Sequence, residues 1–137
     1  MRDADSANQE RERYANVVYP ELSYRIMGAI FEVHKTLGPG FVESVYEKAL
    51  IDEFRRTGLK VEVQKPIILS YKDRQVGKHR LDIVVEGKVV IELKSVARFC
   101  AQHQKQLLSY LKASGCKLGI LVNFARSRVQ YKRVVLT

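Results

Sequence analysis

The hydrophobic period of this chain changes at Gly58 and changes back after Lys94, and that order leaves few folds open. From Glu21 to Leu37 the apolar residues Leu22, Ile26, Ile30, Phe31, Val33 and Leu37 recur at helical spacing, and Gly38-Pro39-Gly40 stops the run. A second helix is expected from Val42 to Thr57, with Val45, Ala49, Leu50 and Phe54 on its apolar stripe and Gly58 behind it. Short β-rich runs follow: Val61 to Gln64 and Ile67 to Tyr71 around Pro66, which marks an edge or a bulge. After a turn over Lys72 to Gly77, Arg80 to Val85 and Lys88 to Lys94 form a hairpin around Glu86-Gly87. Helical spacing returns from Ala101 to Ser114, Gly115 closes that helix, and Lys117 to Asn123 is a buried strand. A helix between the last two strands is a crossover, which forces parallel pairing of at least one of them. The result is an α/β architecture with a mixed central sheet flanked by helices.

At 137 residues the chain has the length of one ordinary domain. Residues 1–19, polar and with little apolar periodicity, are expected to form a flexible or partly helical arm outside the core, and residues 20–137 the domain itself. The longest apolar runs are far below a membrane span, so no membrane association is expected. No basic stretch followed by an apolar one opens the sequence, which makes the cytoplasm the default location. Cys100 and Cys116 lack metal-ligand spacing and are read as reduced thiols without chemistry.

Net charge is +9, and its distribution is more informative than its total. After Glu92 no Asp or Glu occurs, while Lys94, Arg98, Lys105, Lys112, Lys117, Arg126, Arg128, Lys132 and Arg133 all do. Such a segment suits a polyanion, and nucleic acid, DNA or RNA, is the expected partner. A solvated basic surface without a partner is the other reading.

Three charged residues sit inside otherwise apolar strands: Asp82 on one arm of the hairpin, Glu92 and Lys94 on the other. Burying such carboxylates costs several kcal/mol each unless something offsets it, and a divalent cation is the usual partner of two converging carboxylates. Ligation by oxygen alone favours Mg²⁺ or Mn²⁺. A lysine two residues from a ligand can orient a water or stabilise a charged transition state. The simpler alternative is an ion pair of Asp82 or Glu92 with Lys94.

Register decides whether the two carboxylates can meet. With a two-residue loop at Glu86-Gly87, Asp82 faces Ile91 and the carboxylates point to opposite faces. A loop of odd length, such as a type I turn with Gly87 left-handed in a G1 bulge, brings Asp82 opposite Glu92. The odd loop is therefore predicted.

Asp82, the hairpin and Glu92-Leu93-Lys94 resemble the D…ExK signature of the PD-(D/E)XK nuclease superfamily. The resemblance implies a restriction-endonuclease-like core, αβββαβ, with the helix at Glu21 to Leu37 as an N-terminal addition. Gln106-Leu107-Leu108-Ser109-Tyr110 is similar to the QxxxY motif of the RecB-like branch, and residues four apart share one helical face. The stretch from Val33 to Tyr46 and Leu118 to Phe124 resemble the small prokaryotic GxxExxxR family, with Gly40 and Glu43 in place but Glu47 where that family has arginine. What the resemblance implies is a Mg²⁺-dependent (or Mn²⁺-dependent) phosphodiesterase. In it Asp82 and Glu92 hold the metal, Lys94 assists water, and Gln106 and Tyr110 position the substrate. Glu43 either approaches the metal or merely stabilises its helix N-terminus through the dipole, and His34 either joins the site or is structural. Arg98, Gln102 and Lys105 are the expected substrate contacts, and a homodimer is one arrangement such small nucleases take. The rival functions are a catalytically silent nucleic-acid-binding or accessory protein on the same fold, and a protein-interaction module that uses an exposed edge strand.

Overall fold

The structure is a computed structural model and describes residues 4–137. After α1 (Ala4–Glu12), α2 (Pro20–Leu37) begins on a proline, whose fixed φ and missing N–H suit a first helical turn. It ends at Gly38 in a left-handed φ of 69°. α3 (Glu43–Arg56) follows, then β1 (Val61–Tyr71), β2 (Arg74–Val85), β3 (Val89–Lys94), α4 (Ala101–Ser114), β4 (Leu118–Asn123) and β5 (Gln130–Val135).

The five strands form one sheet in the order β1-β2-β3-β4-β5. All neighbours are antiparallel except β3 and β4, which α4 joins as a parallel pair. This is the expected mixed α/β sheet, and it corresponds to the restriction-endonuclease-like core with α2 added in front. One face packs Ile83, Val85, Ile91, Ile120 and Val122 against Ile26, Met27, Ile30, Leu50 and Phe54 of α2 and α3. The other packs Ile67, Leu81, Val84, Val90 and Leu121 against Leu107 and Leu111 of α4.

Several details depart from the expectations. β1 is one continuous strand through Pro66, tolerable because β1 is an edge strand and needs no donor there. β2 begins at Arg74, since the turn after Tyr71 uses only Lys72 and Asp73, both at positive φ, with Tyr71 paired to Arg74. β5 was not legible: its burial follows no clean alternation, and it is defined by pairing with β4. The segment before Pro20 is not wholly outside the core, because Tyr14 is buried, edge-on to Tyr24 and under the Arg133 guanidinium. No helix among the described residues is long and apolar enough to cross a membrane.

The β2–β3 loop has the odd length that the register argument required. Val85 pairs with Val89, leaving Glu86, Gly87 and Lys88 in the turn. Gly87 is left-handed as predicted, but Glu86 is too (φ 53°), so the turn is not type I. Glu86 is drawn there because its N–H donates to the Lys60 carbonyl at 2.8 Å while its carboxylate accepts the Lys60 N–H at 2.7 Å.

A second irregularity sits beside the charged residues. Pairing of β1 with β2 skips one rung between Val63↔Ile83 and Lys65↔Leu81 without a change of register, and Gln64, at φ 51°, is left out of the ladder opposite Asp82; the register itself shifts further out, between Leu69 and Ser70. Leu81 faces α4 whereas Ile83 faces α2 and α3, so the alternation slips by one residue at Asp82.

Candidate active site

The β2–β3 ladder ends at Ile83↔Ile91, and at the next rung side chains replace the backbone. The Asp82 N–H donates to Glu92 Oε1 at 3.0 Å, and the Leu93 N–H donates to Asp82 Oδ2 at 2.8 Å. The three-residue turn and the slip at Asp82 thus bring the two carboxylates together where the strands part. Lys94, two residues on and on the Glu92 side of the strand, is half-buried with Nζ 3.5 Å from Gln106 Oε1. Its ammonium is not consumed by an ion pair among the described residues.

Glu92 is 4% exposed, and burial, then the charge of Asp82, push its carboxyl up to about 7. The Asp82 N–H bond and Lys94 act in the other direction without offsetting it. Glu43, in the first turn of α3, is also raised, first by burial of its carboxyl and then by Asp82; Lys94 and a Ser95 backbone hydrogen bond oppose this. Glu43 therefore shares one electrostatic field with Asp82, Glu92 and Lys94, and the dipole reading alone does not describe it.

Three residues outside the site expected from the sequence complete the cluster. Gln64 Nε2 donates to Glu47 Oε1 at 2.8 Å and reaches Asp82 Oδ1 at 3.4 Å, so the residue at the family's arginine position is linked to Asp82 through an amide. The signal was out of reach: it needs Gln64 in a left-handed conformation. His79 stacks on Tyr110 with ring centroids 3.9 Å apart and planes 10° off parallel, and places Nε2 3.7 Å from Glu92 Oε2. That nitrogen is buried without a hydrogen-bond partner, and burial lowers the imidazole pKa. Asn123, opposite Lys94 in the parallel register, clasps the following loop: its Nδ2 donates to the Val96 carbonyl at 2.6 Å and its Oδ1 accepts from Ala125 N–H at 3.1 Å.

α4 is held close to the sheet at Gly119, where a Cβ would stand 2.8 Å from Leu107 Cδ2. This contact sets Gln106 beside Lys94 and Tyr110 beside His79. Arg98 lies exposed in the loop before α4, and Gln102 and Lys105 are exposed on its first turns. His34 has other partners: its Nε2 is 2.8 Å from the Arg126 carbonyl, and its ring stacks on Phe124. A cleft of about 860 Å³ lined by Arg13, Tyr14, Arg25, Phe31 and Glu53 includes none of the carboxylate cluster.

Among the described residues no three His, Cys, Asp or Glu side chains form a ready ligand cage. Mg²⁺ does not ask for one, since it is commonly held by one or two carboxylates with water and substrate phosphate completing its shell. The fit is one of charge and donor type: Glu43 and Glu92 with raised pKa values, only oxygen donors on Asp82 and Glu92, and the Lys94 amine nearby. The arrangement suits a hard divalent cation and, beside it, a phosphate ester.

Comparison with known proteins bears on the family and on the fold. The sequence model of the PD-(D/E)XK nuclease superfamily matches residues 20–134. The fold is similar to that of a crystallised protein designated SSO0001, at TM-score 0.55 and 21% identity, over 92% of this chain and 61% of that one. It is also similar to an alkaline exonuclease from Laribacter hongkongensis, at TM-score 0.52 and 11% identity, over 93% of this chain and 75% of that one. This chain thus spans about three fifths of the length of the first of these. No curated protein sequence matches it.

Proposed function

This chain belongs to the PD-(D/E)XK nuclease superfamily, and from that premise we propose that it is a metal-dependent nuclease in which Asp82 and Glu92 hold Mg²⁺ or Mn²⁺ and Lys94 assists the attacking water. The observation that carries the reading is the meeting of the two carboxylates where β2 and β3 part, with Lys94 two residues away. Within the superfamily, Gln106 and Tyr110 favour the RecB-like branch, and Gly40 with Glu43 favours the GxxExxxR family.

The reaction is phosphodiester hydrolysis: a water oxygen bonds to phosphorus, the bond to the leaving oxygen breaks, and one chain end keeps the phosphate. A divalent cation supplies Lewis-acid polarisation of the phosphodiester. The chain's own residues supply the rest. Lys94, steadied by Gln106, donates a hydrogen bond to the water or to the phosphoryl oxygens as charge builds there. The His79–Tyr110 stack walls the outer side of Glu92 and limits water around it. Glu43 adds a third acidic group, and Gln64 fixes the orientation of Asp82. Arg98, Gln102 and Lys105 hold the nucleic-acid backbone at the entrance to α4.

The test is a panel of single- and double-stranded DNA and RNA incubated with Mg²⁺ and with Mn²⁺. Cleavage of at least one substrate that stops on adding a chelator supports the reading; an inert panel under both metals overturns it. Asp82 and Glu92 each also tie down a backbone N–H, which favours a second reading, a binding or accessory protein without turnover. Titration calorimetry separates the two, because the second reading predicts no heat from either metal, alone or with nucleic acid present.

A further inference from the structure

The geometry points to a second nucleic-acid contact: we propose that the outer half of the β1–β2 hairpin is an arm that lies along a nucleic-acid duplex and binds its phosphates beyond the cleavage point. The inference rests on the nuclease reading for its purpose but not for its test.

β2 carries Asp82 and continues past it. Beyond Ile83 it has left β3, and only β1 still pairs with it, out to Tyr71↔Arg74. From Ser70 through Val76 every residue is exposed, on both faces of the ribbon. Four cations, Lys72, Arg74, Lys78 and Arg80, stand between Pro66 and Leu81 against one acid, Asp73. None of the four has an ion-pair partner among the described residues. Between them Ile68, Tyr71 and Val76 are 50%, 61% and 67% exposed. The tip is a two-residue turn of Lys72 and Asp73 at φ 47° and 65°, a conformation that Asn-Gly would adopt with less strain. Placing a lysine there presents an exposed ammonium at the tip of the hairpin, over the Tyr71 ring at 5.4 Å.

Dimensions and charge fit one occupant. At roughly 3.3 Å per residue, Arg80, Lys78 and Arg74 lie about 7, 13 and 26 Å along the strand from Asp82. A duplex presents a phosphate on each strand about every 3.4 Å of its axis, so the three cations reach phosphates about two, four and eight steps from the cut. A two-stranded ribbon is narrow enough for the major groove of B-DNA, about 12 Å wide, and Tyr71, Ile68 and Val76 offer apolar contact there.

Binding of the full chain to fluorescent DNA and RNA duplexes of about 20 base pairs, and to the matching single strands, is measured by anisotropy in EDTA, where no cleavage interferes. Replacing Lys72, Arg74, Lys78 and Arg80 by Gln should weaken duplex binding about tenfold or more and lower the slope of log K against log salt by about three to four. The Lys72→Arg, Lys78→Arg variant, which keeps the charges, should bind as the original does. The contrast between DNA and RNA duplexes identifies the groove that the arm fits. Unchanged duplex affinity and slope in the Gln variant overturns the proposal, as does a loss seen only on single strands or a chain that binds no duplex. Sedimentation of both proteins supplies one more contrary outcome: if the Gln variant dissolves a dimer and leaves duplex affinity intact, the arm joins two copies instead. A chain that binds through the arm yet cleaves nothing in the panel above retains this proposal and loses the nuclease reading.

Discussion

Glu92 concentrates the conflict between stability and function in one side chain. Burial and the charge of Asp82 push its carboxyl up to about 7 in the folded protein, from an ordinary 4.5. Between those values the folded state holds a proton that the unfolded state has released, so the stabilisation is complete below about 4.5 and is lost as pH rises through 7. His79 runs the other way, since its lowered pKa costs stability in acid. Comparing Glu92→Gln with the parent protein isolates the first effect, because Gln can still accept the Asp82 N–H. The variant should be more stable than the parent at pH 8, by up to about 3 kcal/mol from the 1.36 kcal/mol per pKa unit, and so unfold at a higher temperature, and the difference should vanish near pH 4. Equal stability at pH 8 contradicts it, and Mg²⁺ should narrow the gap by stabilising only the parent. Asp82, Glu92 and Lys94 were legible because charge in an apolar strand is conspicuous. The parts played by Gln64 and His79 were not: Gln64 needs a left-handed φ at a non-glycine residue, and His79 needs a partner ring from a helix far along the chain.

At the level of elements, the site is made by two departures from regular strands, the odd loop at Glu86-Gly87-Lys88 and the slip at Gln64 and Asp82. The loop could be deduced from the requirement that two carboxylates meet. The slip could not, because Gln64 carries no residue signal for it. α2, α3 and α4 were readable to within a residue or two from their apolar stripes and glycine stops, while the turn of the outer hairpin was expected over Lys72 to Gly77 and uses only Lys72 and Asp73, because a Lys-Asp turn at positive φ has no sequence mark. α4 depends on one close approach. In Gly119→Ala the new methyl meets Leu107, which is buried and has nowhere to go. Overpacking of this kind costs about 1–3 kcal/mol, so a fall in melting temperature is expected, with a loss of cleavage rate beyond it as Gln106 and Tyr110 move from Lys94 and His79. Normal stability and rate would show that α4 has slack.

Over the whole molecule the charge is one-sided in sequence, with no acid after Glu92 and a net charge of +9. That asymmetry pointed to a polyanionic partner without naming it. For a chain making several phosphate contacts, affinity for duplex should fall more than about tenfold between 50 and 200 mM salt; a flat salt dependence would mean that the basic surface is merely solvated. The function itself comes down to whether Asp82, Glu92 and Lys94 act as one unit. The most direct measurement is the Mg²⁺-dependent cleavage rate of the preferred substrate by the parent chain and by Asp82→Asn and Lys94→Ala, each checked for unchanged folding. Both variants should lose at least about a hundredfold in rate, the scale on which single groups stabilising a charged transition state act. Folded variants that cleave as fast as the parent would place the chemistry elsewhere or outside this protein.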